Sequence, residues 1–365
     1  MTALLRSRRT HGRAVFLLIG FVGLVVLPAV MSEFRLGLLA KYLCFAIVAV
    51  GIDLAWGYGG MLTLGQGLFF GLGGYAMGMF LKLQEAGPDG LPDFMSYNGL
   101  EKVPAFWQPF RHAWFALPAV LLIPMGVAAG LGALVFRQRI RGAYFAILTQ
   151  ALAAAFVILL IGQQGYTAGT NGLTNMKTMF GYDLNDPTNQ RNVYLAVAVC
   201  LAIVYLVARQ LVHSRYGRLL IAVRDGEDRV RFLGYNPTVV KVLAFTVSAG
   251  MAGLAGALFV PVVGIMSPAA LGIVPSLELL IGVAVGGRAT LVGAIGGTVL
   301  VNYAKTGLSE HFASGWLYFQ GALFILVVAF APKGLAGIRD VIRRRAPAPD
   351  MPMTIEPANV LEAVG

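Results

Sequence analysis

Ala143-Tyr-Phe-Ala-Ile-Leu-Thr-Gln-Ala-Leu-Ala-Ala-Ala-Phe-Val-Ile-Leu-Leu-Ile-Gly162 is the stretch that decides the fold. It holds no charged residue, and about 20 mostly apolar residues are what an α-helix needs to cross the hydrocarbon core of a bilayer. Arg137, Arg139 and Arg141 stand just before it, behind a run of the same kind over about 113–136. Clustered Arg beside a span marks the cytoplasmic side, so the two runs read as an antiparallel pair joined there. Working outward, comparable runs cover about 14–31, 36–56, 60–81, 192–210, 237–261, 277–304 and 316–331. Over the 365 residues, 58% are hydrophobic and 12% charged. A soluble domain carries about a quarter charged residues and has no way to hide so much apolar surface. The expectation is an all-α polytopic transmembrane helical bundle.

Charge sets the topology. Arg6, Arg8, Arg9 and Arg13 precede the first run, and Lys333, Arg339 and Arg343 to Arg345 follow the last. Both termini therefore belong on the cytoplasmic side. The first run has the basic start of a signal peptide, but it is long enough to span and lacks a small-residue cleavage site, so it reads as an uncleaved helix. Two cytoplasmic ends require an even number of crossings. Taken as one helix, 277–304 gives nine; split at Gly286-Gly287-Arg288 it gives about ten and puts Arg288 at a cytoplasmic turn. The expected organisation is a cytoplasmic N-terminus over 1–13 and a transmembrane domain over 14–335. That domain has periplasmic segments at 82–112 and 163–191 and a basic cytoplasmic loop at 212–240, and a largely disordered cytoplasmic tail fills 336–365. The net charge of +11 is explained by this anchoring and by anionic lipid, with no nucleic acid needed. Cys44 and Cys200 fall inside apolar runs and read as packed thiols.

No phosphate-binding G-x-x-x-x-G-K-[ST], no H-E-x-x-H and no G-x-S-x-G occurs, and His11, His112, His213 and His311 lie at or beyond the span ends. An enzyme is disfavoured, which leaves transport. Few acids lie within the spans; Asp53 and Glu278 are read as capping, pairing or interfacial groups. In Gly51-Ile-Asp-Leu-Ala-Trp-Gly-Tyr-Gly-Gly60, the glycines at 57, 59 and 60 suit a tight turn. Gly67/Gly71, Gly74/Gly78, Gly282/Gly286 and Gly293/Gly297 read first as close helix packing. Thr63, Gln66 and Tyr75 in the same region are the polar-path alternative. Asn236-Pro237 is a helix start, with Asn as cap and Pro in the first turn.

The loop Ser214-Arg-Tyr-Gly-Arg-Leu-Leu-Ile-Ala-Val-Arg-Asp-Gly-Glu-Asp-Arg-Val-Arg-Phe-Leu-Gly-Tyr-Asn-Pro237 mixes Asp225, Glu227 and Asp228 with arginines. It spaces Leu219, Val223, Val230 and Leu233 roughly as one helix face. A loop with its own amphipathic helix is suited to docking in a groove of a cytoplasmic partner.

This loop resembles the coupling loop of ABC importer permeases, and more narrowly that of the branched-chain amino acid (LivM-like) permease family. The resemblance continues through Lys241-Val-Leu-Ala-Phe-Thr-Val-Ser-Ala-Gly-Met-Ala-Gly-Leu-Ala-Gly-Ala257, Gly57 to Tyr75, and Pro332-Lys-Gly-Leu335. The general loop pattern E-A-A-x-x-x-G would fall on Asp228, Arg229, Val230 and Gly234, with both small residues replaced. Within the family the chain is most similar to the urea-type permease. The words that carry this are Leu91-Pro-Asp-Phe-Met95, Arg141-Gly-Ala-Tyr-Phe-Ala-Ile-Leu-Thr-Gln150, Thr170-Asn-Gly-Leu-Thr174, Phe232-Leu-Gly-Tyr-Asn-Pro237 and Val283-Ala-Val-Gly-Gly-Arg288. Gln66 stands where the family usually has His, so a hydrogen-bonding role survives there and an ionisable one does not.

The resemblance implies a bacterial inner-membrane importer for urea or a similar small polar solute. A second permease subunit completes the path, two cytoplasmic ATPase subunits hold Mg-ATP, and a periplasmic binding protein delivers substrate. The chain itself needs no cofactor or metal. Arg215, Arg218, Arg224, Asp225, Glu227, Asp228 and Gly234 become the expected ATPase-coupling residues, with Arg224, Asp225 and Glu227 at the ATPase surface. For a neutral solute the path needs polar uncharged groups, and the candidates are Gln66, Thr149, Gln150 and Asn302. A branched-chain amino acid permease is the nearest rival, and an ATP-independent carrier or channel is the rival of another class.

Overall fold

The computed structural model describes residues 30–311, 315–330, 334, 335 and 337. The expected first span, the 1–13 segment and the 336–365 tail lie essentially outside them. Helix α1 (Glu33–Ile52) runs on into one π-helical turn (Asp53–Tyr58), and α2 spans Gln66–Ala86. A short α3 (Asp93–Tyr97) precedes α4 (Ala113–Arg137) and α5 (Ala143–Gly162), and a one-turn α6 (Gln164–Thr167) follows. Next come a two-stranded hairpin (Thr178–Met179 with Tyr182–Asp183), α7 (Pro187–His213), α8 (Arg215–Phe232) and α9 (Pro237–Val263). The chain closes with α10 (Ile273–Gly286), α11 (Leu291–His311) and α12 (Trp316–Phe330).

Five of these helices are long and apolar enough to cross a membrane. The segment 277–304 is two helices. α10 stops at Gly287, whose φ of 110° ends the helix, and α11 begins after the turn. Asp53 fixes that turn, accepting the Ala289 N–H at 2.7 Å. It is therefore a capping acid, as its isolation in the sequence suggested.

α9 is the centre of the bundle, packed on α1, α2 and α4, while α10 and α11 form a hairpin against α1. Close backbone approach makes this possible. A Cβ on Gly256 of α9 would stand 1.9 Å from the Phe70 carbonyl of α2, and one on Gly73 of α2 would stand 2.0 Å from the Gly253 carbonyl. Packing is also what the Gly-x-x-x-Gly pairs serve: Gly71 and Gly74 face Leu271 and Met266, and Gly286 meets Gly293. Around this core, α4, α5 and α7 turn Leu122, Leu134, Ile147, Ile158 and Ile203 outward. An outward apolar face is stable against lipid or a partner helix and costly against water. Cys44 is buried, Cys200 half-buried, and both are free thiols.

The polar segments 82–112 and 163–191 cover one end of the bundle together. Arg111 donates to the Gly87 and Gly90 carbonyls at 2.6 and 2.7 Å, Lys82 to Asn175 O at 3.0 Å, and the Trp107 indole to Tyr166 O at 3.1 Å. Helix α8 lies at the other end.

Candidate functional site

Helix α8 is built for the loop between two long helices. Ser214 caps it, its hydroxyl accepting the Gly217 N–H at 3.3 Å. The helix ends at Phe232, and Gly234, with φ of 85°, turns the chain towards α9. Asn236 then caps α9 by accepting the Thr238 N–H at 3.0 Å, with Pro237 in the first turn, as that dipeptide predicts. Midway, at Gly226 (φ −170°, ψ 77°), α8 leaves helical geometry. It is therefore two short helices joined at one residue.

The apolar face runs across that joint but stops short of the helix end. Leu220, Val223 and Val230 are buried and Leu219 is half-buried. Leu233, expected on the same face, is 75% exposed beyond the helix end, beside Phe232 at 91%. The tip of α8 is thus an exposed apolar knob.

The expected coupling residues divide into two groups. Arg215, Arg218, Asp225, Asp228 and Gly234 are at the surface. Arg224 holds the Asp225 carboxylate at 2.8 Å and so keeps its pKa below the ordinary value, while its Nη1 reaches the Gly57 carbonyl at 2.7 Å. It therefore ties α8 to the π turn ending α1. Glu227 points inward, its side chain only 9% exposed. Its carboxylate meets Lys241 of α9, Arg141 at 3.1 Å and Arg231 at 3.3 Å. Expected at the outer surface, Glu227 is instead the hub of an ion cluster joining α8, α9 and the turn before α5.

The second site lies deeper, where the chain runs non-helically from Gly59 to Gly65 before α2 begins. The long apolar run over 60–81 concealed this, because hydropathy does not separate extended from helical backbone. α2 starts at Gln66, whose Nε2 donates to Ser248 at 3.0 Å; Ser248 in turn donates to the Gly51 carbonyl at 2.7 Å. Ser248 is eleven residues into the 27-residue α9, about 16 Å from its α8-side start at 1.5 Å per residue. The α2 N-terminus therefore opens inside the bundle, near the middle of α9. Irregular backbone at that depth is stable only inside protein or along a polar cavity. Here the Met61 N–H bonds Ala55 O at 2.9 Å, and the Leu64 N–H bonds the Thr149 hydroxyl at 3.2 Å. Gly65 presses on Thr149, where a Cβ would come 2.3 Å from the Thr149 carbonyl.

Gln66 and Thr149 thus both border the broken backbone, Thr149 through Leu64 and Gly65 and Gln66 as the first residue of α2. Gln150 is half-buried one position along α5. Asn302 is buried on α11, donating to Thr298 O at 2.9 Å, and lines a different cavity. Tyr75 Oη, nine residues further along α2, is buried without a hydrogen-bond partner among the described residues, and so, close to the break, are Thr63 Oγ1, Gln66 Oε1 and Ser276 Oγ, the last against Gly67. Such atoms are costly to leave unmade, and they give this region a stock of uncharged donors and acceptors.

Glu278 pairs with Lys305 at 2.6 Å through both carboxylate oxygens, as an isolated intramembrane acid should. Lys305 and its neighbour Lys41 went unnoticed in the sequence, although a lysine inside the 36–56 run and one directly after the 277–304 run were the available signal. Among the described residues no group of three His, Cys, Asp or Glu is placed to hold a metal.

A helical bundle with an amphipathic helix at one end and a broken, polar-lined helix inside it defines a membrane transport permease. The chain belongs to the family described as "Branched-chain amino acid transport system / permease component", whose model matches residues 34–328. It is 27% identical over 348 residues to the high-affinity branched-chain amino acid transport system permease protein LivM of Salmonella typhimurium (strain LT2), covering 89% of this chain and 75% of that one. It is 28% identical over 350 residues to LivM of Escherichia coli (strain K12), with the same coverage. LivH of Salmonella typhimurium, a permease of that same transport system, is 23% identical over 316 residues, covering 81% of this chain and 92% of LivH. No solved structure matches the chain.

Proposed function

We propose that this chain is one permease subunit of an ATP-driven importer of the bacterial inner membrane, forming half of the path for urea or a similar small polar solute. A second permease subunit supplies the other half. Two cytoplasmic ATPase subunits grip α8 from outside, and a periplasmic binding protein delivers the solute at the end covered by 82–112 and 163–191. The observation that carries this reading is α8. A two-part amphipathic helix with an exposed apolar tip at Phe232 and Leu233, and with Glu227 clamped inward, is the shape of a lever. The tip suits a groove on a partner by the helix-in-groove mode. The clamp passes its movement to α9 and α5, and α5 carries Thr149 to the break before α2. Closing and opening of the ATPases would then shift the path between its two accessible states.

The choice of urea rests on the resemblance words and on the uncharged set Gln66, Thr149, Ser248 and Thr63. A neutral solute is recognised by donors and acceptors in place, not by charge. Two experiments test the two halves. Phe232→Asp or Asp225→Lys should abolish substrate-stimulated ATPase activity in the reconstituted complex, and unchanged stimulation refutes the lever. Alanine at Gln66, Thr149, Gln150 and Asn302 should impair labelled-urea uptake, and normal uptake in all four removes the path. A branched-chain amino acid is the second reading, favoured by the printed names of LivM and LivH. Competition of uptake by leucine and not by urea would decide for it.

A further inference from the structure

The outer faces of the bundle differ in chemistry. Leu122 and Leu134 of α4, Ile147 and Ile158 of α5 and Ile203 of α7 are exposed and apolar, a surface that lipid tails suit. The side formed by α1, α10 and α11 is charged. Phe34, Leu38, Lys41 and Phe45 make one stripe along α1 by helical spacing, with Phe34 exposed and the other three half-buried. On α10 the exposed Val274 stands one turn from Glu278 on the same side. Lys41, Phe45, Glu278 and Lys305 line one cavity of about 500 Å³. By helical rise the three charged residues sit about 8–12 Å inside the helix ends opposite α8, where charge is expensive. Lys305 is turned onto Glu278, which lies at matching depth, its Nζ 2.6 Å from both carboxylate oxygens. The charge left over is that of Lys41, whose ammonium is 6.0 Å from the Phe45 ring. Among the described residues this side therefore carries two cations and one anion.

Charge decides what covers this side. Lipid tails leave an ammonium at this depth without a partner. The apolar run over 14–31 has no charged, amide or hydroxyl side chain to meet Lys41. A second copy of this chain fares no better. In a two-fold contact a patch meets itself, so net cation would face net cation, and low dielectric strengthens that repulsion. A different chain with an acid in place satisfies the surplus. We propose that α1, α10 and α11 around Lys41 are the docking face for the second permease subunit, a distinct chain that sets one Asp or Glu carboxylate against Lys41. The proposal rests on the importer reading and adds to it the face and the counter-charge. The apolar surface of α4, α5 and α7 is then left to lipid.

The test uses the full chain co-expressed with its partner permease in a bacterial membrane. The photo-crosslinker p-benzoylphenylalanine replaces Phe34 or Val274 on the proposed face, and Leu122 or Ile158 on the apolar surface. Adducts are identified by mass spectrometry after irradiation. Positions 34 and 274 should give an adduct with the partner permease, and positions 122 and 158 should give none. Adducts at 34 and 274 only with a second copy of this chain, with its own 14–31 run or with lipid overturn the proposal. Partner adducts from 122 or 158 alone overturn the face and keep the importer reading, whereas no permease adduct from any position overturns both. A second measurement reads the counter-charge. Lys41→Met should lower recovery of the partner in co-purification at least tenfold without moving the thermal midpoint of this chain alone, and Lys41→Arg should keep most of the recovery. Unchanged recovery with Lys41→Met overturns the counter-charge.

Discussion

Replacing Glu227 with Gln keeps the side chain's shape and removes one negative charge from a cluster of three cations. Two of those cations reach water: the Arg141 and Arg231 side chains are 45% and 35% exposed, and solvent takes over much of their charge. Lys241 does not, since its side chain is 11% exposed beside a carboxylate that is 9% exposed. Removing one member of a buried pair costs about 3–5 kcal/mol, because the survivor is left uncompensated, whereas an exposed pair contributes about 0–1 kcal/mol. Nearly buried on both sides, Glu227–Lys241 belongs near the lower end of the first range, so E227Q should cost about 3 kcal/mol. The double variant E227Q/K241M removes the stranded ammonium and should recover most of the loss, giving a coupling energy of about 2 kcal/mol in a double-mutant cycle. Equilibrium unfolding in mixed detergent micelles reads these differences. Asp228→Asn serves as the control: its side chain is 67% exposed and it should change stability by less than about 0.5 kcal/mol. An E227Q loss below about 1 kcal/mol, or strictly additive effects of E227Q and K241M, would refute the clamp.

Gly256→Ala should cost about 1–3 kcal/mol, near the upper end because the obstructing atom is backbone; the thermal midpoint of the purified chain checks this against Gly37→Ala, which meets nothing within 4 Å. Asn236→Ala removes the cap of α9 and should cost about 1 kcal/mol, read by the same unfolding assay. Arg224→Ala cuts the tie to the Gly57 carbonyl and should lower substrate-stimulated ATPase activity while leaving the chain assembled with its partner permease, as judged by co-purification.

Features written in single residues were legible in the sequence. Asn236-Pro237 announced a cap that the structure forms, Gly286-Gly287-Arg288 announced a break, and Asp53 and Glu278 cap and pair as lone intramembrane acids must. Features that depend on where backbone goes were not. Met61, Leu62 and Leu64 extend an apolar run, so the start of α2 looked six residues earlier than it is; the clue was Gly59-Gly60 with Gly65 beyond. α8 stops at Phe232, so a face drawn through Leu219 and Leu233 assigned Leu233 to the wrong environment. Glu227 was read as outward because the loop around it mixes acids with arginines and lies between spans. Its inward turn depends on Lys241 and Arg141, which only the tertiary fold brings to it. Lys41 and Lys305 are 264 residues apart in sequence, and the charge they share with Glu278 exists only once α1, α10 and α11 are packed.

The most direct measurement is uptake of labelled urea into proteoliposomes holding this chain, its partner permease and the two ATPases, with the binding protein outside and ATP inside. Accumulation that requires ATP, and is lost when this chain is omitted or carries Phe232→Asp, is the predicted result. Uptake that proceeds equally without ATP would contradict the account.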